Sequence, residues 1–168
     1  MNEPSKPERY TIQRVGAILH KVYPIKDSAG KVIQYIAKPL KVELRRRDVA
    51  QILVGASLLS IPVGFTQEVW DLGAQLSIGS VAVLAVISIV FIGLYTYTTF
   101  YRDLFHQFRF EYAKRVLTIY FLSLVVVAVL LTTINAAPWG VDTLVAVKRV
   151  VIVAFPASMS AALSDSIS

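Results

Sequence analysis

The chain has 168 residues, of which 55% are apolar, 17% are charged and none is cysteine. Soluble domains carry about 25% charged residues, so the composition excludes an ordinary soluble enzyme and a classical nucleic-acid module. The lack of cysteine excludes disulfides, thiolate metal sites and a cysteine nucleophile. Residues 49–67, 72–101 and 116–141 contain no Asp, Glu, Lys or Arg. Because a membrane-spanning helix needs about 20 mostly apolar residues, these runs predict an integral membrane protein.

The net charge of +6 lies entirely in an N-terminal arm. Residues 1–48 carry 11 Lys and Arg against 5 Asp and Glu, whereas residues 49–168 carry 6 of each. A basic segment beside a membrane marks the cytoplasmic side and attracts anionic headgroups. We therefore expect Arg45, Arg46 and Arg47 to contact anionic lipid, and we expect no nucleic-acid partner.

The arm divides into a tail and a small unit. Residues 1–10 are polar and are expected to be a disordered tail. Residues 11–47 are predicted to be a basic cytoplasmic unit that is β-containing or α+β. Segment 31–37 is rich in Val, Ile and Tyr, and segment 40–44 alternates apolar and charged residues, so both predict strands. Segment 11–23 is compatible with a strand or a short helix.

Residues 48–168 are predicted to be an all-α membrane domain with four transmembrane helices. Asp48 is the expected N-cap of the first helix, and Pro62 should kink that helix or loosen one turn. Pro156 is expected to bend the fourth helix. The four spans are expected at about 49–72, 76–101, 116–135 and 141–167.

The distribution of basic and aromatic residues predicts the orientation of these spans. The arm and the 102–115 loop hold nearly all Lys and Arg, whereas the other two connections hold none. The rule that positive loops stay inside places both termini in the cytoplasm. Trp70 and Trp139 would then lie at the outer interface. These signals predict a multi-pass protein of the cell membrane.

The first candidate site is the segment from Thr66 to Asp71. Glu68 and Asp71 are three residues apart and share a helix face. In an oligomer they would form two rings of negative charge at a pore mouth, with Thr66 and Gln67 beside them, and rings of this kind select cations. We expect them to bind a passing cation rather than a resident metal. The alternative is that Asp71 is merely interfacial and that Glu68 pairs with a basic residue.

The second and third candidates lie on the fourth span. Lys148 and Arg149 are expected to be inside the hydrocarbon region, paired with Glu68 and Asp71, to contact an anion or substrate, or to snorkel. Asp165 follows a run of small residues whose spacing allows close helix packing or a narrow path. Its serines, Ser158 and Ser160, are candidate pore or packing residues, and packing is favoured. The alternative for Asp165 is a solvated helix end near the inner interface.

Catalytic and cofactor signals are weak. His20 and His106 have no partner at metal-ligand spacing. No glycine-rich phosphate loop or hydrolase motif is present in the sequence. We therefore expect no enzymatic activity and no resident cofactor, with Ca²⁺ or another cation as the permeating ion.

Two motifs resemble a known family. The pattern Pro-x-x-Phe-Thr-x-Glu-x-Trp at 62–70, followed by Pro-Ala-Ser at 156–158 and by Asp165, resembles a prokaryotic family of integral membrane proteins without an assigned function. The resemblance covers about residues 45–168 and implies that the two segments belong to one unit. A weaker similarity is to calcium uniporter pores, which have two spans and place an acidic, Trp-containing motif at the pore entrance. In this chain Glu68 precedes the Trp-Asp pair, and two further spans are present.

Three functions follow from these patterns. The favoured one is a homo-oligomeric cation channel, divalent-selective, with its filter at the extracytoplasmic end of span one, because four spans are few to enclose a path. The alternatives are a membrane scaffold or assembly protein that uses the basic arm, and a cation/proton secondary transporter. The transporter alternative requires a midplane acid and an internal repeat, and neither is evident in the sequence.

Overall fold

The computed structural model describes residues 10–16, 18–26, 31–102 and 104–167. The chain divides into two units, Met1–Glu43 and Leu44–Ser168. Apart from Tyr10, the expected tail at 1–10 lies outside the described residues.

The first unit contains a three-stranded antiparallel sheet. Its strands are β1 (Thr11–Val15), β2 (Ile18–Lys26) and β3 (Val32–Pro39), and β2 lies between the other two. Pro24 is tolerated in the central strand because β1 pairs with β2 only as far as Val22, so no ladder bond to β1 is lost there.

The sheet refines the predictions for the arm. Of segment 11–23, for which a strand and a short helix were both predicted, residues 11–15 form β1 and residues 18–23 form the first part of β2. The alternation at 40–44 wrongly predicted a strand, because β3 ends at Pro39. The pairing of β2 with β3 already uses the residues up to Pro39, and after it one further backbone bond joins Leu40 to Leu19.

The second unit is helical. Its elements are α1 (Arg46–Gly64), α2 (Gln67–Gln75), α3 (Ile78–Thr96) with a π-helical turn (Tyr97–Tyr101), α4 (Arg109–Thr133) and α5 (Thr143–Ser166). Among the described residues, three helices are long and apolar enough to cross a membrane, and α1 with α2 makes a fourth if the bent pair is counted as one span.

The first predicted span, 49–72, is not one continuous helix. The chain turns by 86° between α1 and α2. Pro62 removes a helical N–H two residues before the helix ends. The Thr66 amide and hydroxyl then bind the Val63 carbonyl, and the Trp70 indole N–H binds the Gly64 carbonyl at 2.9 Å. These bonds satisfy carbonyls that the helix end would otherwise leave unpaired.

Two helix starts also differ from the predictions. The N-cap of α1 is Arg45, and Asp48 lies at the third helical position, where its carboxylate accepts the Arg45 amide at 2.9 Å. Helix α4 begins at Arg109, seven residues before the predicted start at 116. Arg115 therefore belongs to a helix and not to a loop.

Helix α5 is the centre of the bundle, and it packs against α1, α2, α3 and α4. Its closest neighbour is α1. A Cβ built on Gly55 would lie 2.5 Å from the Ser164 Cβ and 2.8 Å from the Ser160 carbonyl. Ser160, Ala161 and Ser164 of α5 lie in this contact, and Ala157, Ser158 and Ala161 are completely buried.

Candidate functional site

The bundle carries polar clusters at its two ends. At the "α2 end", helix α2 and the turn after α4 approach the start of α5. At the "Arg115 end", the start of α1 and the first turns of α4 approach the end of α5.

At the α2 end, the predicted carboxylates lie on α2. Glu68 and Asp71 are both exposed, while Val69 and Gly73 of the same helix are buried. The Gln67 amide donates a hydrogen bond of 3.2 Å to Asp71, so two of the predicted residues are joined. Thr66 instead closes the corner before α2 through the Val63 carbonyl.

Arg149 of α5 connects α2 to the turn after α4 through hydrogen bonds to backbone carbonyls. Its Nε donates to the Trp70 carbonyl at 3.1 Å, and its Nη1 donates to the Ala136 carbonyl at 2.6 Å. The side chain crosses α2 at Gly73, where a Cβ would lie only 2.4 Å from the Arg149 Cγ. A glycine is therefore required at this crossing for the arginine to reach both carbonyls.

Lys148 makes a second connection between α5 and the end of α2. Its ammonium donates a 2.8 Å hydrogen bond to the Leu76 carbonyl, just beyond α2. Within the described part of the chain, neither Lys148 nor Arg149 forms an ion pair with Glu68 or Asp71. The expected pairing of these residues was wrong, because both basic side chains satisfy backbone carbonyls left at the ends of α2 and α4.

The Arg115 end contains a buried ion cluster. Arg115 binds Asp165 through two parallel hydrogen bonds, Nε to Oδ2 at 2.7 Å and Nη2 to Oδ1 at 2.9 Å. Both side chains are buried, with 1% and 0% exposure. The Asp48 carboxylate lies 3.5 Å from the same guanidinium. Asp165 therefore joins α5 to α4, and its carboxylate is occupied by this pair.

The π-helical turn after α3 closes this cluster from another side. It places the Phe100 ring 4.1 Å from the Arg115 guanidinium, a cation–π contact. Tyr101, which is completely buried, also interacts with Arg115. The guanidinium thus meets carboxylates from α1 and α5 and aromatic rings from the turn after α3.

Arg115 was missed by the sequence reasoning. The one available signal is its spacing, because it lies in the i, i+4 row that continues through Ile119, Ser123 and Val127, all of them buried. In a span that is apolar on every side, this row cannot be distinguished from the lipid-facing rows.

The two predicted serines of α5 do not face an open path. Ser158 is completely buried, and its hydroxyl donates to the Phe155 carbonyl at 3.0 Å. Ser160 is half-buried, and its backbone carbonyl faces Gly55.

Among the residues that the structure describes, no group of three or more His, Cys, Asp or Glu side chains could hold a metal ion. Neither the curated proteins nor the solved structures contain a significant match to the chain. The profile of the family described as "Putative integral membrane protein (DUF2391)" matches residues 48–167, and the chain therefore belongs to this family of integral membrane proteins.

Proposed function

We propose that this protein is a homo-oligomeric channel for cations, with Glu68 and Asp71 of α2 as the selecting side chains. The observation that carries the proposal is that these two carboxylates are exposed and lack a basic partner among the described residues. They are exposed on one face of a helix that turns by 86° from α1. Lys148 and Arg149, which hold this helix, bind backbone carbonyls and form no ion pair with either carboxylate among the described residues.

The proposed channel is an oligomer because the interior of a single copy is filled by packed side chains. Helix α5 occupies the middle of the bundle with completely buried side chains, so the proposed path lies between subunits. One α2 offers two carboxylates, which are too few to replace the hydration shell of an ion. A closed ring of copies would repeat them around an axis and concentrate cations there.

The chemistry of the pair favours a hard cation such as Ca²⁺. Calcium takes six to eight oxygen ligands from carboxylates, carbonyls and amide groups. Glu68 and Asp71 supply carboxylate oxygens, Gln67 supplies an amide oxygen, and Thr66 supplies a hydroxyl at the corner. In this proposal the ion is cargo, the protein has no resident cofactor, and it catalyses no reaction.

The proposed orientation places α2 on the extracytoplasmic side of the cell membrane. Both tryptophans lie at the α2 end, where the Trp139 indole binds the Thr132 hydroxyl, and tryptophan favours membrane interfaces. The exposed Arg46 and Arg47, beside Arg45, would meet anionic headgroups on the cytoplasmic side.

Ion flux into proteoliposomes tests the proposal. Wild-type protein should pass Ca²⁺ and K⁺ down their gradients, and Glu68→Gln with Asp71→Asn should reduce Ca²⁺ flux by about tenfold, equivalent to about 1.4 kcal/mol of lost ion stabilisation. Glu111→Gln is the matched control, since Glu111 lies at the Arg115 end and pairs with Lys114. Absence of flux in the wild type for every cation would refute the proposal.

A further inference from the structure

The N-terminal sheet carries two lysines directly opposite each other. Lys21 of β2 is paired with Lys38 of β3 in the antiparallel register. Like charges at directly opposed positions destabilise a sheet. A bound anion between or above the two ammonium groups would reduce this repulsion.

Tyrosine rings extend this pair into a continuous surface. The Lys21 ammonium lies 4.8 Å from the Tyr10 ring centre, and the Lys38 ammonium lies 5.9 Å from the Tyr23 ring centre. The two rings are in contact, with centres 5.8 Å apart. We call Tyr10, Lys21, Tyr23 and Lys38 the "lysine–tyrosine face".

The charge of this unit is not balanced by its acids. Residues 1–43 carry eight Lys and Arg against four Asp and Glu. The one carboxylate among the described residues of this unit, Glu43, forms an ion pair with Arg14. Around the lysine–tyrosine face, Ile25 and Ile36 are also exposed apolar side chains.

We propose that the lysine–tyrosine face binds the anionic headgroups of phospholipids. Two ammonium groups complement lipid phosphate, while the tyrosine rings and exposed isoleucines suit the boundary between headgroups and acyl chains. A lipid surface is favoured over a nucleic acid because residue 39 of β3 is separated by only six residues from α1, which begins the membrane domain. This proposal is independent of ion conduction.

The test uses the full-length protein in nanodiscs of phosphatidylcholine with 0–40% phosphatidylglycerol. Because the chain contains no cysteine, Gln34→Cys provides a single site for an environment-sensitive dye. Gln34 is exposed, and it lies on the same sheet face as Lys38, four residues along β3. Gln13→Cys, exposed on the opposite face, is the matched control.

We expect phosphatidylglycerol to shield the dye at position 34 from quenching by acrylamide and to leave the dye at position 13 accessible. This shielding should disappear in 1 M salt, because salt screens the attraction between lysine and lipid. Each of Lys21→Gln and Lys38→Gln should weaken the lipid-dependent shielding about fivefold, corresponding to about 1 kcal/mol per lysine at an anionic surface. Lys26→Gln and Lys31→Gln, made as separate single variants, each remove one positive charge elsewhere in the unit and should each have a smaller effect.

Three results would overturn the proposal. Equal shielding with and without phosphatidylglycerol would show that anionic lipid is not the ligand. Equal losses in the Lys21/Lys38 and Lys26/Lys31 variants would show that net charge, and not this face, is responsible. Shielding by a short oligonucleotide in pure phosphatidylcholine discs, without shielding by anionic lipid, would assign the face to nucleic acid.

Discussion

Arg115 and Asp165 form a buried ion pair in which replacing either residue alone should destabilise the protein. Their two hydrogen bonds lie in a fully buried environment, where a lone charge has neither water nor a partner. Breaking a buried pair by removing one partner costs about 3–5 kcal/mol. The pair therefore dictates how α4 and α5 meet at the Arg115 end.

Asp165→Asn should lower the free energy of unfolding by about 3–5 kcal/mol, because it leaves the Arg115 guanidinium without its main counter-ion. Thermal unfolding in detergent measures the effect. Glu111→Gln is the control, since its pair with Lys114 is exposed and worth at most about 1 kcal/mol. Equal melting temperatures for Asp165→Asn and the wild type would contradict the assignment of Arg115 to this pair.

At the scale of the elements, glycines determine how closely the helices approach. Gly55 allows α1 to contact the backbone of α5, and Gly73 lets the Arg149 side chain cross α2. At Gly55 a larger residue would meet the Ser164 Cβ and the backbone of Ser160 and Ala161, whereas at Gly73 it would meet only the side chain of Arg149. Truncating the neighbouring side chain should therefore relieve the loss of stability caused by alanine at position 73, but not that caused by alanine at position 55.

Gly55→Ala should destabilise the bundle by about 1–3 kcal/mol, because the added methyl group overlaps the Ser160 carbonyl and the Ser164 Cβ. The comparison is Gly79→Ala near the start of α3, where the nearest atom is 3.7 Å away. Alanine there should be neutral or stabilising, since it is the better helix former. Similar losses at both positions in a chemical denaturation series would argue against a close contact between α1 and α5.

Gly73→Ala should cost about 1–3 kcal/mol in the wild-type background and almost nothing once Arg149 is alanine, because the overlap is with the Arg149 Cγ. A double-mutant cycle on unfolding free energies measures this coupling. Additive effects would mean that Arg149 does not cross α2 at Gly73.

At the scale of the whole molecule, the sequence predicted the membrane class and most of the helices. The uncharged runs 49–67, 72–101 and 116–141 predicted α1, α3 and α4, because spanning helices require such runs. Helix α5 was predicted from an apolar segment that Lys148 and Arg149 interrupt. The corner after α1 was signalled only by Pro62, and its 86° angle depends on Trp70 reaching the Gly64 carbonyl and Arg149 reaching Trp70. These contacts join residues as far apart as 79 positions, so no local pattern predicts them.

The site was predicted less completely than the fold. Glu68 and Asp71 were identified from their spacing, and the structure leaves both exposed on α2. The partners of Lys148 and Arg149 are backbone carbonyls, which are present at every residue and therefore give no sequence signal. The Arg115–Asp165 pair spans 50 positions and is likewise invisible without the fold.

The proposed orientation gives a topology prediction. Gly140 follows α4 in an exposed turn at the α2 end, and Gln107 is exposed in the turn before α4. A membrane-impermeant maleimide should label Gly140→Cys in intact cells and should label Gln107→Cys only after the membrane is opened. The reverse pattern would place α2 in the cytoplasm and exclude an extracytoplasmic filter.

The most direct measurement of the central claim is the reversal potential in planar bilayers with Ca²⁺ on one side and K⁺ on the other. We predict a cation-selective wild-type current whose reversal potential shifts towards K⁺ selectivity in Glu68→Gln, because the ring of carboxylates binds the divalent ion more strongly. The Glu111→Gln current should match the wild type. A reversal potential that is unchanged by Glu68→Gln would contradict the assignment of α2 as the filter.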